Sequence, residues 1–336
     1  MGETILLGTE HGLGPLLNTL SPRTITVPSR SAPPPAAQAA FTPATTVGEA
    51  EAFTRRLAHG RYENFSVVSV LVPRHIRQDF CNIYAFCRLA DDLGDEVHDP
   101  AAALAYLGQF RDQLRACYAG RSESAVFLAL AGTVERHSIP IDPFLDLISA
   151  FEQDQHILRY ETLADLADYC RRSADPVGRL VLYLCGYRDE ERQRLSDLTC
   201  TALQLANFWQ DVRRDLADLD RIYIPREFLT RFGVTEEQLR HGVADDHFRA
   251  MMRELVERTD AMFADGRRLL PLLSRDVAAH VSLFGLGGQA ILRAIRRQDF
   301  DTLSRRPTLG KRQKAGLVAR AAAARLTGYL GGRRRA

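Results

Sequence analysis

Apolar residues recur every three or four positions along most of this chain, and almost no segment alternates with the period of a strand. The pattern predicts helices over 47–58, 75–96, 100–119, 123–137, 143–158, 163–173 and 176–186. A long helix over 189–216 follows, then short elements near 225–230 and 235–240, longer ones over 246–270 and 274–298, and a basic one over 311–330. Three Asp-Pro pairs, Asp99-Pro100, Asp142-Pro143 and Asp175-Pro176, read as N-caps followed by proline at the first helical position, where its missing N–H is not needed. Residues 62–73 are β-branched, but a lone strand would have no partner, so they read as a helix or an extended lead-in ended by Pro73. Gly285, Gly287 and Gly288 lie inside 274–298. Each costs about 1 kcal/mol there against alanine, which implies either tight helix packing or the close approach of a ligand. The result is one all-α domain over 46–300. A Pro-, Ser-, Thr- and Ala-rich leader over 1–45 precedes it, read as flexible, and a basic segment over 301–336 follows it.

Composition supports that architecture. The 336 residues are 46% hydrophobic, enough to supply a sizeable core. No apolar run is long enough to span a bilayer, and no secretory signal is recognisable. Six cysteines show no C-x-x-C or zinc-finger spacing and read as small core residues in a reducing, cytoplasmic compartment. The net charge of +2 is unevenly spread: residues 302–336 hold ten Lys or Arg and no Asp or Glu. A mildly acidic body with a basic tail argues against nucleic acid as the partner. It points to a tail that meets an anionic surface, such as a membrane or another protein.

The chemistry lies in two acidic stripes. In Y-A-F-C-R-L-A-D-D-L-G-D-E (84–96), Asp91 and Asp95 share one helix face and Arg88 lies one turn before Asp92. In N-F-W-Q-D-V-R-R-D (207–215), Asn207, Asp211 and Asp215 fall at four-residue steps. Stacked carboxylates repel one another unless a cation joins them, and a hard divalent ion takes oxygen ligands and shares them with phosphate. Both stripes sit in apolar sequence, which disfavours a solvated face. Arg88, Arg213, Arg214 and Arg221 are available to hold phosphate oxygens. Phe65, Tyr84, Tyr169, Phe208, Trp209 and Tyr223 could offer ring faces to a carbocation. The G-L-G-G at 285–288 lacks the setting of a nucleotide loop, and no H-E-x-x-H or G-x-S-x-G occurs.

Five segments together resemble the squalene/phytoene synthase family: 84–95, Y-C-R-R-S-A-D-P-V-G at 169–178, 204–215, R-I-Y-I-P at 221–225 and A-I-L-R-A-I-R-R-Q-D-F at 290–300. The resemblance implies the isoprenoid synthase fold, Mg²⁺ as cofactor and a prenyl diphosphate substrate. It implies Asp91, Asp92, Asp95, Asp211 and Asp215 as metal ligands and Arg88, Arg171, Arg214 and Arg221 at the diphosphate. It implies Tyr84, Tyr169, Asn207 and Tyr223 as catalytic residues. Within the family the segments are most like the hopanoid branch that ionises presqualene diphosphate and captures water. Arg171 and Arg172 stand where coupling enzymes look like Y-C-x-Y, which favours that second half-reaction. Head-to-head coupling of two prenyl diphosphates is the alternative, and a catalytically inactive helical isoprenoid-binding partner is a third reading.

Overall fold

The computed structural model describes residues 33–60, 74–310 and scattered positions from 312 to 323. Residues 34 onward belong to one compact unit, and among the described residues no strand is present, only two isolated bridges. The helices are α1 (Pro35–Ala40), α2 (Val47–Gly60), α3 (Arg77–Asp95), α4 (Pro100–Tyr118), α5 (Ala125–His137), α6 (Asp142–Gln153) and α7 (Leu163–Ser173). They continue as α8 (Asp175–Leu184), α9 (Glu190–Leu219), α10 (Arg226–Phe232), α11 (Glu236–His241), α12 (Asp246–Gly266) and α13 (Arg275–Arg297). Short 3₁₀ turns precede α3 and follow α12. The segment 62–73, with Phe65, lies outside the described residues.

Two apolar cores flank a seam. The first surrounds α3, where Phe86 packs on Phe110 and Phe144 with ring centroids 5.1 and 4.8 Å apart. The second surrounds α9, whose Trp209 is buried and donates its indole N–H to Thr259 Oγ1 of α12 at 2.8 Å. Trp209 therefore serves the core and not the cavity wall that its aromatic character suggested. Gly288 is a packing glycine: a Cβ there would lie 2.3 Å from the Phe263 ring. Gly285 and Gly287 face open space.

Several local expectations are revised. Residues 34–45 are not a loose leader: Ala36, Ala37 and Ala40 of α1 are buried in the first core. Asp99 does cap α4, accepting from the Ala101 N–H at 3.3 Å. Asp142 and Asp175 instead open their helices and make no cap bond. Asp175 is buried and accepts from the Thr201 hydroxyl at 2.8 Å, tying α8 to α9. The ordered chain also continues past 300, with Thr302 and Leu303 buried and the Pro307 carbonyl accepting from Gln210 Nε2 at 2.6 Å.

A buried polar network braces α2, α3 and α5. Asn82 accepts from Thr54 Oγ1 at 2.6 Å and donates to the Ala129 carbonyl and Thr133 Oγ1, each at 3.0 Å. One turn earlier, Asp79 accepts from Thr133 at 2.9 Å and Arg136 at 2.5 Å, with His137 Nε2 at 2.9 Å. Burial alone would raise the Asp79 pKa, but these three partners outweigh it and hold the carboxyl below its ordinary 3.8. Removing a buried carboxylate strands its donors, so Asp79→Ala is expected to cost about 3 kcal/mol in urea unfolding. The depressed value means this contribution is present above pH 3.8 and fades as pH falls through the lower folded value.

Candidate active site

The lining face of α3 runs through Phe80, Tyr84, Cys87, Arg88, Asp91 and Asp95, which all border one cavity of about 480 Å³. At 1.5 Å per residue this face is about 22 Å long. The opposing apolar wall comes from Leu147 and Phe151 of α6, Val177 and Val181 of α8, and Phe284 of α13. A smaller space continues past Phe80, Val181 and Phe284 toward Ile76 and Val277. The acids therefore stand at the end of α3 and the apolar floor at its beginning, as an amphiphile with a charged head requires.

Local structure places the polar head. Asp220 ends α9 in the left-handed conformation at φ 50°, which Asp tolerates better than most side chains. Its carboxylate is held by Arg159 at 3.2 Å and Arg240 at 2.8 Å. The reversal lets the Arg221 N–H donate back to the Asp215 carbonyl at 3.1 Å and turns the guanidinium into the cavity. There Arg221, only 6% exposed, donates to Asp95 Oδ1 at 3.0 Å and to the Asp154 carbonyl at 3.3 Å, with Asp154 Oδ2 at 3.8 Å. Gly94 lets α6 pack closely on α3: a Cβ there would sit 3.3 Å from Phe151 Cβ.

Asp154 is the main residue that sequence reasoning missed. It is buried, lines the cavity, and accepts from the Tyr169 hydroxyl through Oδ2 at 2.8 Å. Its Oδ1 has no hydrogen-bond partner among the described residues. It lies at the end of α6 with no acidic partner one turn away, so no periodic signal marks it. Beside it, Tyr169, Tyr160 and Tyr223 cluster, and Phe208 stacks on Tyr223 with centroids 3.7 Å apart. Burial, then the Asp154 charge, push Tyr169 and Tyr223 well above the usual phenol range, so both remain hydrogen-bond donors.

Carboxylate repulsion pervades the mouth. Burial and then Asp95 push Asp91 up to about 7, against the pull of Arg88. Its side chain is still 41% open to solvent, which leaves it accessible from the mouth. Burial likewise lifts Asp154 to about 7, opposed by Arg221 and the Tyr169 bond. Asp215 reaches about 7 through burial, Asp211 and, more weakly, Asp95, with Arg214 and Arg221 opposing. The influence of Asp95 on Asp215 brings the two acidic stripes within electrostatic reach of each other, although Asp215 itself is absent from the cavity lining.

Not every expected residue reaches the cavity. Asp92 is buried against Arg88 and is absent from the lining. Asp211 is clamped by Arg306, with Nη2 to Oδ2 at 2.9 Å, a partner the motif did not foretell. Asn207 is exposed. Arg171 pairs with Asp168 at 2.7 Å, and Arg214 lies beside Asp218 at 3.6 Å, both on the exposed surface. Tyr84, Arg88, Asp91, Asp95, Tyr169, Arg221 and Tyr223 do converge. Among the described residues no three donor side chains close around a metal by themselves. The carboxylates Asp91 and Asp95 are nevertheless oxygen-only donors that repel each other at the mouth, which suits Mg²⁺ that takes one or two carboxylates and completes its shell from phosphate and water.

An all-α bundle around such a cavity has the isoprenoid synthase architecture, shared with a dehydrosqualene synthase structure at TM-score 0.76 and 24% identity over 84% of this chain and 98% of that one. The squalene/phytoene synthase profile matches residues 58–313, and the chain belongs to that family of isoprenoid synthases acting on prenyl diphosphates. It is 48% identical to squalene synthase HpnC from Alicyclobacillus acidocaldarius over 76% of this chain and 96% of that one, with TM-score 0.72. It is 35% identical to the hydroxysqualene synthase of Rhodopseudomonas palustris over 71% of this chain and 81% of the relative. It is 33% identical to the phytoene synthase of Thermus thermophilus over 79% and 90%.

Raised carboxyls bind protons in the folded state that the unfolded chain has already lost. Stability of the metal-free protein should therefore rise as pH falls from about 7 toward 3.8. Urea midpoints at about pH 5 and about pH 8 check this, and the difference should shrink in Asp91→Asn.

Proposed function

We propose that this protein ionises presqualene diphosphate with Mg²⁺ and captures water to give hydroxysqualene, a step of hopanoid biosynthesis. The observation that carries the reading is Arg221, which links Asp95 of α3 to Asp154 of α6 beside stacked aromatic rings, at the head of an apolar cavity. The 48% identity to squalene synthase HpnC, together with Arg171-Arg172 in α7, favours this branch.

In the proposed reaction the C–O bond breaks and diphosphate leaves with the electron pair. Mg²⁺ held by Asp91, Asp95 and Asp215, with Asp211 once Arg306 releases it, would neutralise the charge growing on the leaving group. Arg88 and Arg221 hold oxygens of the diphosphate through guanidinium forks. The rings of Tyr169 and Tyr223, which border the cavity, would face the cationic carbon skeleton, with Phe208 stacked behind Tyr223. The apolar wall of Leu147, Phe151, Val177 and Val181 keeps bulk water from the cation. Water adds at one carbon and loses a proton, for which the uncommitted Asp154 oxygen is the acceptor at the polar end.

Head-to-head coupling of two prenyl diphosphates is the second reading, favoured by the phytoene synthases at comparable identity. Incubation with presqualene diphosphate and Mg²⁺, without NADPH, followed by mass identification of the lipid, separates the two. Hydroxysqualene is the expected product. Turnover of farnesyl or geranylgeranyl diphosphate alone, with presqualene diphosphate untouched, would overturn the proposal. Asp91→Ala is expected to lower turnover at least about a hundredfold with helical circular dichroism retained. Asp154→Asn is expected to lower it at least about tenfold.

A further inference from the structure

α13 has two working faces. Phe284 borders the active-site cavity, whereas Leu286, Gln289, Arg293 and Arg296, at three- and four-residue steps, line a separate basin of about 400 Å³. Leu286 lies two residues beyond Phe284, about 200° around the helix, so the basin is on the reverse side. Arg267 reaches it from the 3₁₀ turn after α12, and Arg320 reaches it from the C-terminal segment. Four guanidiniums from three stretches of chain thus border one concavity.

The basin has too little negative charge of its own. Asp260 is the one carboxylate in its lining, and it is already engaged by Arg296 at 2.9 Å and by Gln289 Nε2 at 3.3 Å. Among the described residues Arg267, Arg293 and Arg320 form no ion pair. Burial, then repulsion from Arg320 and Arg297, pull the Arg293 pKa below its ordinary value. Like charges gathered without a counter-ion are unfavourable, and a bound anion would remove the cost. Planar forks converging from several sides suit the tetrahedral, multiply charged oxygens of phosphate. The lining holds no aromatic ring for a base or a sugar to stack on, only Leu286 and Ala264 among its apolar members.

We propose that this basin is a second anion site, distinct from the catalytic mouth, which takes a phosphate or diphosphate group. Two sources share that chemistry: a free diphosphate, or the headgroup of an anionic phospholipid. Arg320 forms part of the wall of the site, so binding there would also hold this residue against α13.

Calorimetric titration of inorganic diphosphate into the full-length protein in EDTA reads the site without divalent metal. Arg293→Gln is expected to weaken one class of binding at least about tenfold. Arg320→Gln, at an exposed position, should weaken it in the same direction while leaving prenyl diphosphate turnover unchanged. Asp260→Asn releases Arg296 and should tighten binding, an outcome that a merely structural Asp260 would not produce. Co-sedimentation with phosphatidylglycerol vesicles, against phosphatidylcholine, identifies the source. Loss of that sedimentation in Arg293→Gln indicates the lipid headgroup, whereas loss of diphosphate binding alone indicates the free ion. Wild-type binding of both probes in Arg293→Gln and Arg320→Gln overturns the proposal.

Discussion

Arg221 resolves the electrostatic problem on which this architecture turns. The carboxylates of α3 and α9 and Asp154 at the end of α6 come within electrostatic reach of one another, where burial and mutual repulsion make each costly to ionise. A single buried guanidinium between Asp95 and Asp154 keeps the three elements together without filling the space before them. Its position rests on a chain of local causes. The left-handed Asp220 reverses the backbone, Arg159 and Arg240 hold that turn, and Gly94 lets α6 come close. Arg88 performs the same task along α3, shared among Asp91, Asp92 and Glu96.

The two cores explain why a cavity survives. Each packs its own aromatic set, Phe86 with Phe110 and Phe144 on one side, Trp209 with Phe248 and Phe263 on the other. Interiors of this kind are close-packed and resist collapse. The seam between them is lined partly by members of each, Leu147 from the first and Tyr169 and Tyr223 from the second. The buried Asn82 and Asp79 networks brace the first core against the pull of the acidic rim. Stability and the site are thus built in different places, and the site itself carries stored repulsion that a cation and a diphosphate can relieve.

The helices, the cysteine placement and the first acidic stripe were legible because they follow a local period. All six cysteines are free and Cys81, Cys117 and Cys170 are buried, whereas Cys87 borders the cavity with its thiol pushed up to about 12 by burial. Errors arose where a residue type has two local uses. Asp175 reads as a cap but is a buried acceptor for Thr201, and Trp209 reads as a cavity aromatic but anchors α12. The alanine-rich α1 was hidden in a segment whose prolines suggested a loose chain, since its burial depends on α3 and not on its own propensity.

Spacing along the chain was sufficient to establish an all-α domain, to place Asp91 and Asp95 on one helix face and Asp211 and Asp215 on another, and to suggest a family. These are one-dimensional properties, decided by 3.6 residues per turn. Which acid faces the cavity and which is taken by an arginine depended on elements far apart in sequence. Arg221 reaches back 126 positions to Asp95, and Arg306 reaches back 95 to Asp211. Asp154, the second basin on α13 and the exclusion of Asp92 from the lining arise only when helices pack, because packing angle, not period, determines where their side chains meet.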